Sequence, residues 1–181
     1  RILDAFKGTH IDAGILVADP HPGLPTEADL AAYVRLQETL LGHHWDFLVA
    51  DTDILESGKI RGGCVRIRDV EARLVIVPPM RVIEKPLARW LAAFKRAGGR
   101  VLRLKADFAP GPVAKAIRRA VPPALRIRTA GRGDVSRVLV VRRTGGGRTL
   151  WFMLNTGTQH VELNLDAGCA LREIPLDGNL P

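Results

Sequence analysis

Short apolar runs alternate with amphipathic stretches over the first 130 residues of the chain. Apolar runs that turn residues bound are typical of strands buried on both faces, as in parallel sheets. The pattern predicts strands at 11–18, 45–50, 74–77 and from 101, with a short alternating edge strand at 64–67. Apolar residues at helical spacing predict helices at 26–41, 52–57, 87–97 and 112–120.

The stretch 73–105 holds the clearest supersecondary signal. A β-branched strand ends at Pro78 and Pro79, and four apolar residues then follow at helical spacing: Leu87, Trp90, Leu91 and Phe94. Gly98 and Gly99 close the helix, and the next strand opens at Val101. Strand, helix and strand at this spacing predict a right-handed βαβ unit.

The helix predicted at 26–41 has an N-terminal capping signal. Thr26 is a favoured cap residue, and Asp29 takes the place of the usual capping-box Glu. Its apolar residues predict an inner face interrupted by Gln37, formed by Leu30, Tyr33, Val34, Leu40 and Leu41.

From about residue 131 the period of the pattern changes to that of antiparallel strands. Residues 135–141 and 149–154 flank a glycine-rich turn at 144–147, which predicts a β-hairpin. Further short strands are predicted at 125–127, 161–165 and 169–174. The fold class is therefore α/β, with an α/β module at 1–130 and an antiparallel segment, a partial β-sandwich, at 131–181.

Composition and charge refine this picture. At 181 residues and 46% hydrophobic, the chain can bury a substantial core. Residues 81–143 carry 17 Lys and Arg against 3 Asp and Glu, so the net charge of +8 lies on one middle segment. A start at Arg1 suggests a fragment of a larger protein. It leaves localisation unknown, with the cytoplasm favoured, and we expect no membrane association because no apolar run approaches the roughly 20 residues of a spanning helix.

The basic segment is a candidate surface for nucleic acid or another anion. Its aromatic residues are few, because Trp90 and Phe94 lie on a predicted apolar helix face and only Phe108 remains for stacking. Its arginines alternate with apolar residues, as on a solvated face. We therefore expect a contact with a neighbouring domain or subunit rather than with nucleic acid, and a basic anion-binding module is an alternative.

Several motifs of known chemistry are missing from the sequence. The position for a dinucleotide-binding G-x-G-x-x-G holds Asp19-Pro20-His21-Pro22-Gly23. Cys64 follows two glycines, but a strand rather than a helix follows it, so it forms no nucleophile elbow. The five histidines show no metal-ligand spacing, and the two cysteines make neither a disulfide framework nor a zinc site. We expect no cofactor, no metal and no catalytic residue in this chain.

Three polar residues follow predicted strands and are the candidates for ligand binding. Asp19 and His21 come after the first strand, and Asp51 comes after the second. Ligands of open α/β sheets bind at the carboxyl ends of the strands. Ordinary structural roles compete, because Asp51 is also placed as a helix N-cap and Asp19 as a turn residue.

Taken together, these segments resemble a domain of large glycoside hydrolases. The run WDFLVADTDILESG at 45–58 resembles its "fDfid-x-x-iL-x-x-g" motif. Residues 74–79 resemble its "lilPp" strand, and 87–101 its "L-x-x-f-x-x-x-GG-x-v" helix and strand. Residues 137–155 and 174–178 resemble the hairpin and the turn that follow in those enzymes.

The resemblance implies a flavodoxin-like, glutamine-amidotransferase-like α/β/α domain with a mostly parallel sheet, of the type that trimerises one family of beta-galactosidases. In those enzymes the catalytic glutamates lie on a preceding barrel, which this chain lacks. The implied role is scaffolding or oligomerisation, with that barrel and further copies of the chain as partners and carbohydrate as substrate of the parent enzyme. Asp19, His21 and Asp51 would lie on loops facing the barrel. The alternative is a free-standing α/β hydrolase or ligand-binding domain with a pocket at the strand ends.

Overall fold

The structure, a computed structural model, describes residues 7–131 and 133–171. Its strands are β1 (His10–Ile11), β2 (Ile15–Ala18), β3 (Phe47–Ala50), β4 (Lys59–Arg61), β5 (Cys64–Ile67), β6 (Val70–Ala72), β7 (Leu74–Val77), β8 (Arg100–Arg103), β9 (Arg126–Thr129), β10 (Val138–Gly145), β11 (Arg148–Asn155) and β12 (Leu163–Asp166). Its helices are α1 (Glu27–Gly42), α2 (Thr52–Ser57), α3 (Lys85–Arg96) and α4 (Pro110–Ala120).

A four-stranded parallel sheet forms the centre of the fold, in the order β3-β2-β7-β8. Every residue of β2 and of β7 is buried, as expected for the two inner strands of a sheet covered on both faces. The predicted βαβ unit is confirmed, because α3 connects β7 to its parallel neighbour β8. The α/β fold class is confirmed as well.

Helices cover both faces of this sheet. On one face α3 packs against β7, with its Trp90 and Phe94 rings stacked at 5.3 Å between centroids. On the other face α1 and α4 pack together over Ile15, Val17 and Ile76. Alternating side chains of the same strands therefore enter two separate clusters, as the period of two in a strand requires.

The strand predicted at 11–18 is wrong in its extent, because the chain forms two strands there. β1 pairs antiparallel with β10 of the hairpin, and β2 enters the parallel sheet. Between them the chain passes Val121 closely, since a Cβ on Gly14 would lie 2.9 Å from the Val121 Cγ1 atom. The continuous apolar run conceals this change of partner.

The strand at 64–67 is present as β5, but its predicted place at an edge is wrong. β5 lies between β4 and β6 in a three-stranded antiparallel sheet. The two flanking strands have three residues each, which is too short for an alternating pattern to be recognised.

The capping prediction for α1 is confirmed, while its predicted inner face is wrong in part. The Thr26 hydroxyl accepts the Asp29 N–H and the Asp29 carboxylate accepts the Thr26 N–H. The buried residues are Ala32, Leu36, Thr39 and Leu40. Val34 and Leu41 are exposed, at 52% and 38%. Apolar residues lie on two opposite sides of this helix, so their pattern alone does not select the side that faces the sheet.

The hairpin predicted after residue 131 is confirmed as β10 and β11, paired antiparallel through a turn at Gly146 and Gly147. The strand predicted at 161–165 is present as β12 and pairs with β9. Of the strand predicted at 169–174, residues 169–171 are not in a strand and the rest lies outside the described residues. Because β1 joins the hairpin sheet, the modules predicted on either side of residue 130 are linked by strand pairing.

Substitution of Gly99 tests the packing of α3 against β8. A Cβ at this position would overlap the fully buried Phe94 ring, so we expect Gly99→Ala to lower the free energy of unfolding by about 1–3 kcal/mol. Gly111 is the matched control, since a Cβ there meets no atom within 4 Å. Urea denaturation of both variants measures the difference, and equal stability would contradict this packing.

Candidate functional site

The three candidate residues lie at the carboxyl end of the parallel sheet, as their positions predict. The ends of β2 and β3 are adjacent there, because the Asp19 N–H donates to the Ala50 carbonyl at 3.0 Å. Asp51 follows Ala50 directly. The direction of the parallel strands therefore brings the loops after β2 and β3 together.

Asp19 and His21 form a close pair. The His21 Nδ1 atom lies 2.8 Å from Asp19 Oδ1, and the same oxygen accepts the His21 backbone N–H at 3.1 Å. Partial burial acts to raise the pKa of Asp19, but the hydrogen bonds from His21 outweigh it and the pKa lies below its ordinary value. The carboxylate can thus orient the imidazole ring, which is 71% exposed.

Asp51 does not join this pair. Its carboxylate accepts the Ile54 N–H at 2.7 Å and caps α2, which is the structural role that the sequence also allowed. In the described part of the chain, neither Asp19 nor His21 hydrogen-bonds a serine, threonine or cysteine side chain. The pair therefore has no nucleophile of the kind that an Asp-His dyad activates.

The crevice where ligands would bind is filled by the protein itself. The order of the sheet reverses between β2 and β7, and open α/β sheets bind ligands at this switch point. Here the loops after these two strands contact each other directly. A Cβ on Gly23 would lie 2.8 Å from the Met80 Sδ atom, and the Val82 N–H donates to the Gly23 carbonyl at 3.1 Å. Met80 and Gly23 thus close the position that a bound molecule would need.

A polar cavity lies near the opposite end of the sheet, where β2 and β3 begin and the hairpin packs against them. Its volume is about 100 Å³, and its lining includes Asp12, His44, Asp46, Arg142 and Trp151. This space has room for several water molecules, but it is smaller than the roughly 300–1,000 Å³ of small-molecule sites. None of the candidate residues predicted from the sequence lines this cavity.

Asp46 is the central residue of this cavity. Its Oδ2 atom accepts the Arg142 N–H at 2.6 Å, and the Arg142 guanidinium pairs with Asp12 at 2.9 Å. Burial raises the pKa of Asp46 to about 6, with Asp12 adding to the rise and the hydrogen bond and charge of Arg142 opposing it. Arg142 Nε and Trp151 Nε1 are buried without a hydrogen-bond partner among the described residues. The arrangement is a polar joint between the sheet and the hairpin.

The one sequence signal for this joint was an aspartate near the start of the predicted strand 45–50. Trp45, beside it, donates its indole N–H to the Val121 carbonyl at 3.2 Å. The His44 Nε2 atom donates a hydrogen bond to the Val135 carbonyl at 3.0 Å. The segment 44–46 therefore binds the rest of the chain at three successive residues.

Cys64 is not prepared for nucleophilic chemistry. Partial burial raises the pKa of its thiol, whereas an activated cysteine needs a lowered pKa. In the part of the chain that the structure describes, no cluster of three or more His, Cys, Asp and Glu side chains is placed to hold a metal ion.

The arginines of the basic segment are exposed, as their alternation predicts, at Arg96, Arg103, Arg118, Arg126 and Arg128. Its aromatic side chains are largely engaged. Trp90 and Phe94 are buried, and Phe108 lies beneath the Arg35 guanidinium at 4.9 Å from its ring centroid. None of the helices in the described ranges has both the length and the apolarity that crossing a membrane requires.

Comparison of the chain with family models, with curated proteins and with solved structures finds no match.

The raised pKa of Asp46 predicts a pH-dependent contribution to stability. The folded-state pKa of about 6 exceeds the ordinary value of 3.8. The folded state is therefore more stable when the Asp46 carboxyl is protonated than when it is ionised. This contribution is present below about pH 4 and is lost as pH rises through 6. We expect Asp46→Asn, which keeps an acceptor for Arg142, to match the parent at pH 4 and to exceed its stability at pH 7.

Asp134→Asn is the matched control with the opposite sign. Hydrogen bonds from Ser136 lower the pKa of Asp134, so its contribution is present above about pH 4 and is lost as pH falls below its ordinary value. Urea denaturation of both variants from about pH 2.5 to 7.5 separates the two effects, because the scan then covers the range below the ordinary pKa of Asp134 as well as the range up to and above the pKa of Asp46. A stability difference for Asp46→Asn that stays constant with pH would contradict the burial of this carboxyl.

Proposed function

We propose that this chain is a non-catalytic accessory module of a glycoside hydrolase, with a flavodoxin-like α/β domain that forms subunit contacts and positions a preceding catalytic barrel. The sequence resemblance supplies the parent class. The strand order β3-β2-β7-β8 supports the flavodoxin-like assignment, because it is the 2-1-3-4 order of that fold. The carbohydrate substrate then belongs to the parent enzyme.

The observation that carries this proposal is a second apolar side on α1. Val34 and Leu41 lie seven residues apart, almost two helical turns, and therefore share one side of the helix. Leu36 is rotated from Val34 by about 200° and is fully buried against the sheet. The exposed side is thus the one opposite the core. Folding of this domain does not require apolar residues there, whereas a neighbouring subunit does.

The outward stripe has the spacing of a helix–helix contact. Its members are the exposed Val34 and Leu41 and the half-buried Leu30 and Gln37, with intervals of four, three and four residues along the helix. Such intervals form the seam between packed helices. Because the intervals read the same in both directions, the stripe can pack antiparallel on its own copy about a two-fold axis. We therefore assign the subunit contact to α1.

The strand-end residues support a non-catalytic role. Asp51 serves as a helix cap, and the switch point between β2 and β7 is filled by Met80 and Gly23. The second candidate function is a strand-end enzyme that uses the Asp19–His21 pair, and the 2.8 Å contact between these side chains is the observation in its favour.

Replacement of the outward apolar residues tests the subunit contact. We expect the chain to self-associate in sedimentation velocity runs between 1 and 100 μM, on the order of the concentrations at which weak subunit contacts form. Val34→Ser combined with Leu41→Ser should shift it to monomer. The variant should stay folded, with the free energy of unfolding lowered by about 1–2 kcal/mol, because Leu41 is only 38% exposed and loses part of its contact with the domain.

Val82→Ser is the matched control, because Val82 is similarly exposed, at 49%, and lies outside α1. It should leave association unchanged. A chain that stays monomeric throughout, or an association that survives the double substitution, would refute the contact at α1.

An assay on nitrophenyl glycosides tests the absence of catalysis. We expect no turnover above buffer for the chain or for Asp51→Asn, which retains a capping side chain. Turnover that Asp51→Asn abolishes would overturn the proposal. Turnover that His21→Ala abolishes, with Asp51→Asn still active, would establish the strand-end enzyme instead.

A further inference from the structure

The parallel sheet ends at an open edge. β8 pairs with β7 on one side and with no described strand on the other. The Arg100 and Leu104 amides donate toward β7, to Arg73 and Val77. Because peptide groups alternate along a strand, those of Val101 and Arg103 point away from the sheet.

The chain has a strand at the point where a fifth member of the sheet would follow, but it uses that strand elsewhere. β9 comes after α4 and pairs antiparallel with β12 in a separate two-stranded sheet. The place beside β8 is therefore left without a strand of the described chain. An edge of this kind is a template for an added strand.

Positive charge surrounds this edge. Arg100 and Arg103 of β8 are exposed, and Lys105 follows them. The Arg100 guanidinium donates to the Arg119 carbonyl at 2.7 Å, which brings the basic end of α4 beside the strand. The other neighbouring helix, α3, ends in Lys95 and Arg96. From residue 85 to 128 there are twelve Lys and Arg and a single acid, Asp107.

These charges disfavour a second copy of the chain as the occupant of the edge. Pairing of β8 with its own copy would bring together two strands that each carry Arg100 and Arg103 and no acid, and like charges on neighbouring strands are unfavourable. Single-stranded nucleic acid fits this edge less well than an acidic peptide. The outward N–H and C=O groups of β8 can form ladder hydrogen bonds with a second peptide backbone, which nucleic acid does not have. Trp90 and Phe94 are also buried and cannot stack on bases.

We propose that the outer edge of β8 binds an extended acidic segment of another protein as a fifth strand of the sheet. The outward peptide groups of Val101 and Arg103 supply the backbone hydrogen bonds. Arg100 and Arg103 supply charge selection for glutamate and aspartate on the added strand. This surface is distinct from the outward side of α1, so it does not depend on the subunit contact.

Binding of a synthetic strand tests this proposal. The probe is an N-terminally fluorescein-labelled, amidated octapeptide in which pairs of glutamates alternate with pairs of valines, so that both faces of the added strand carry acid for Arg100 and Arg103. Its counterpart carries lysine in place of each glutamate. We expect the acidic peptide to bind the full chain in fluorescence anisotropy at low salt. Amide hydrogen exchange measured by NMR should slow at Val101 and Arg103, since their N–H groups become hydrogen-bonded.

Charge reversal at the edge supplies the matched pair of variants. Arg100→Glu combined with Arg103→Glu should weaken binding of the acidic peptide at least about tenfold and should favour the lysine peptide. The control is Arg126→Glu combined with Arg128→Glu, the same charge change on exposed residues of β9. It should weaken binding by less than about threefold, as expected for charges that lie on a different sheet.

Three outcomes would overturn the proposal. The first is equal weakening by both double variants, which would show only a general effect of charge. The second is binding without slower exchange at Val101 and Arg103, which would show that no strand is added. The third is an oligothymidylate that binds through the same arginines while the acidic peptide does not, which would make the edge a nucleic-acid surface.

Discussion

The structure depends on the burial of two adjacent strands on both faces. β2 and β7 expose no residue on either side of the sheet. Two parallel strands cannot be joined by a tight turn, so the chain must cross over the sheet, and helices provide these crossovers. Once α3 covers one face and α1 with α4 the other, the layers, the crossovers and the direction of all four strands follow from the same constraint.

Strand direction then determines which residues meet. The loops after β2, β3 and β7 gather at one end of the sheet, where Asp19 lies beside Ala50 and Met80 fills the space at Gly23. The segments before β2 and β3 gather at the other end, where the hairpin packs. The closely packed end is thus the one at which α/β enzymes bind ligands, and the end with a polar cavity is the one at which they ordinarily do not.

Local signals in the sequence were sufficient for the four helices, for the central parallel strands and for the candidate loops. Capping at Thr26 and Asp51 was predictable because the interacting groups lie three residues apart. The positions of Asp19 and Asp51 followed from strand direction alone. The contact between Asp46 and Arg142 could not be predicted from local signals, because the two residues lie 96 positions apart in the chain. The division of residues 11–18 into β1 and β2 likewise depends on a pairing with the distant β10.

The error on α1 has a different physical origin and is more informative. A helix with apolar residues on one side only would have been placed correctly, because burial then selects that side. On α1 the side with Ala32 and Leu36 is buried, whereas the side with Val34 and Leu41 faces outward. Sequence hydrophobicity measures the total apolar surface of a helix, whereas the fold uses only the part that fits its sheet. The apolar surface of Val34 and Leu41 is therefore the part of α1 that the sheet does not use.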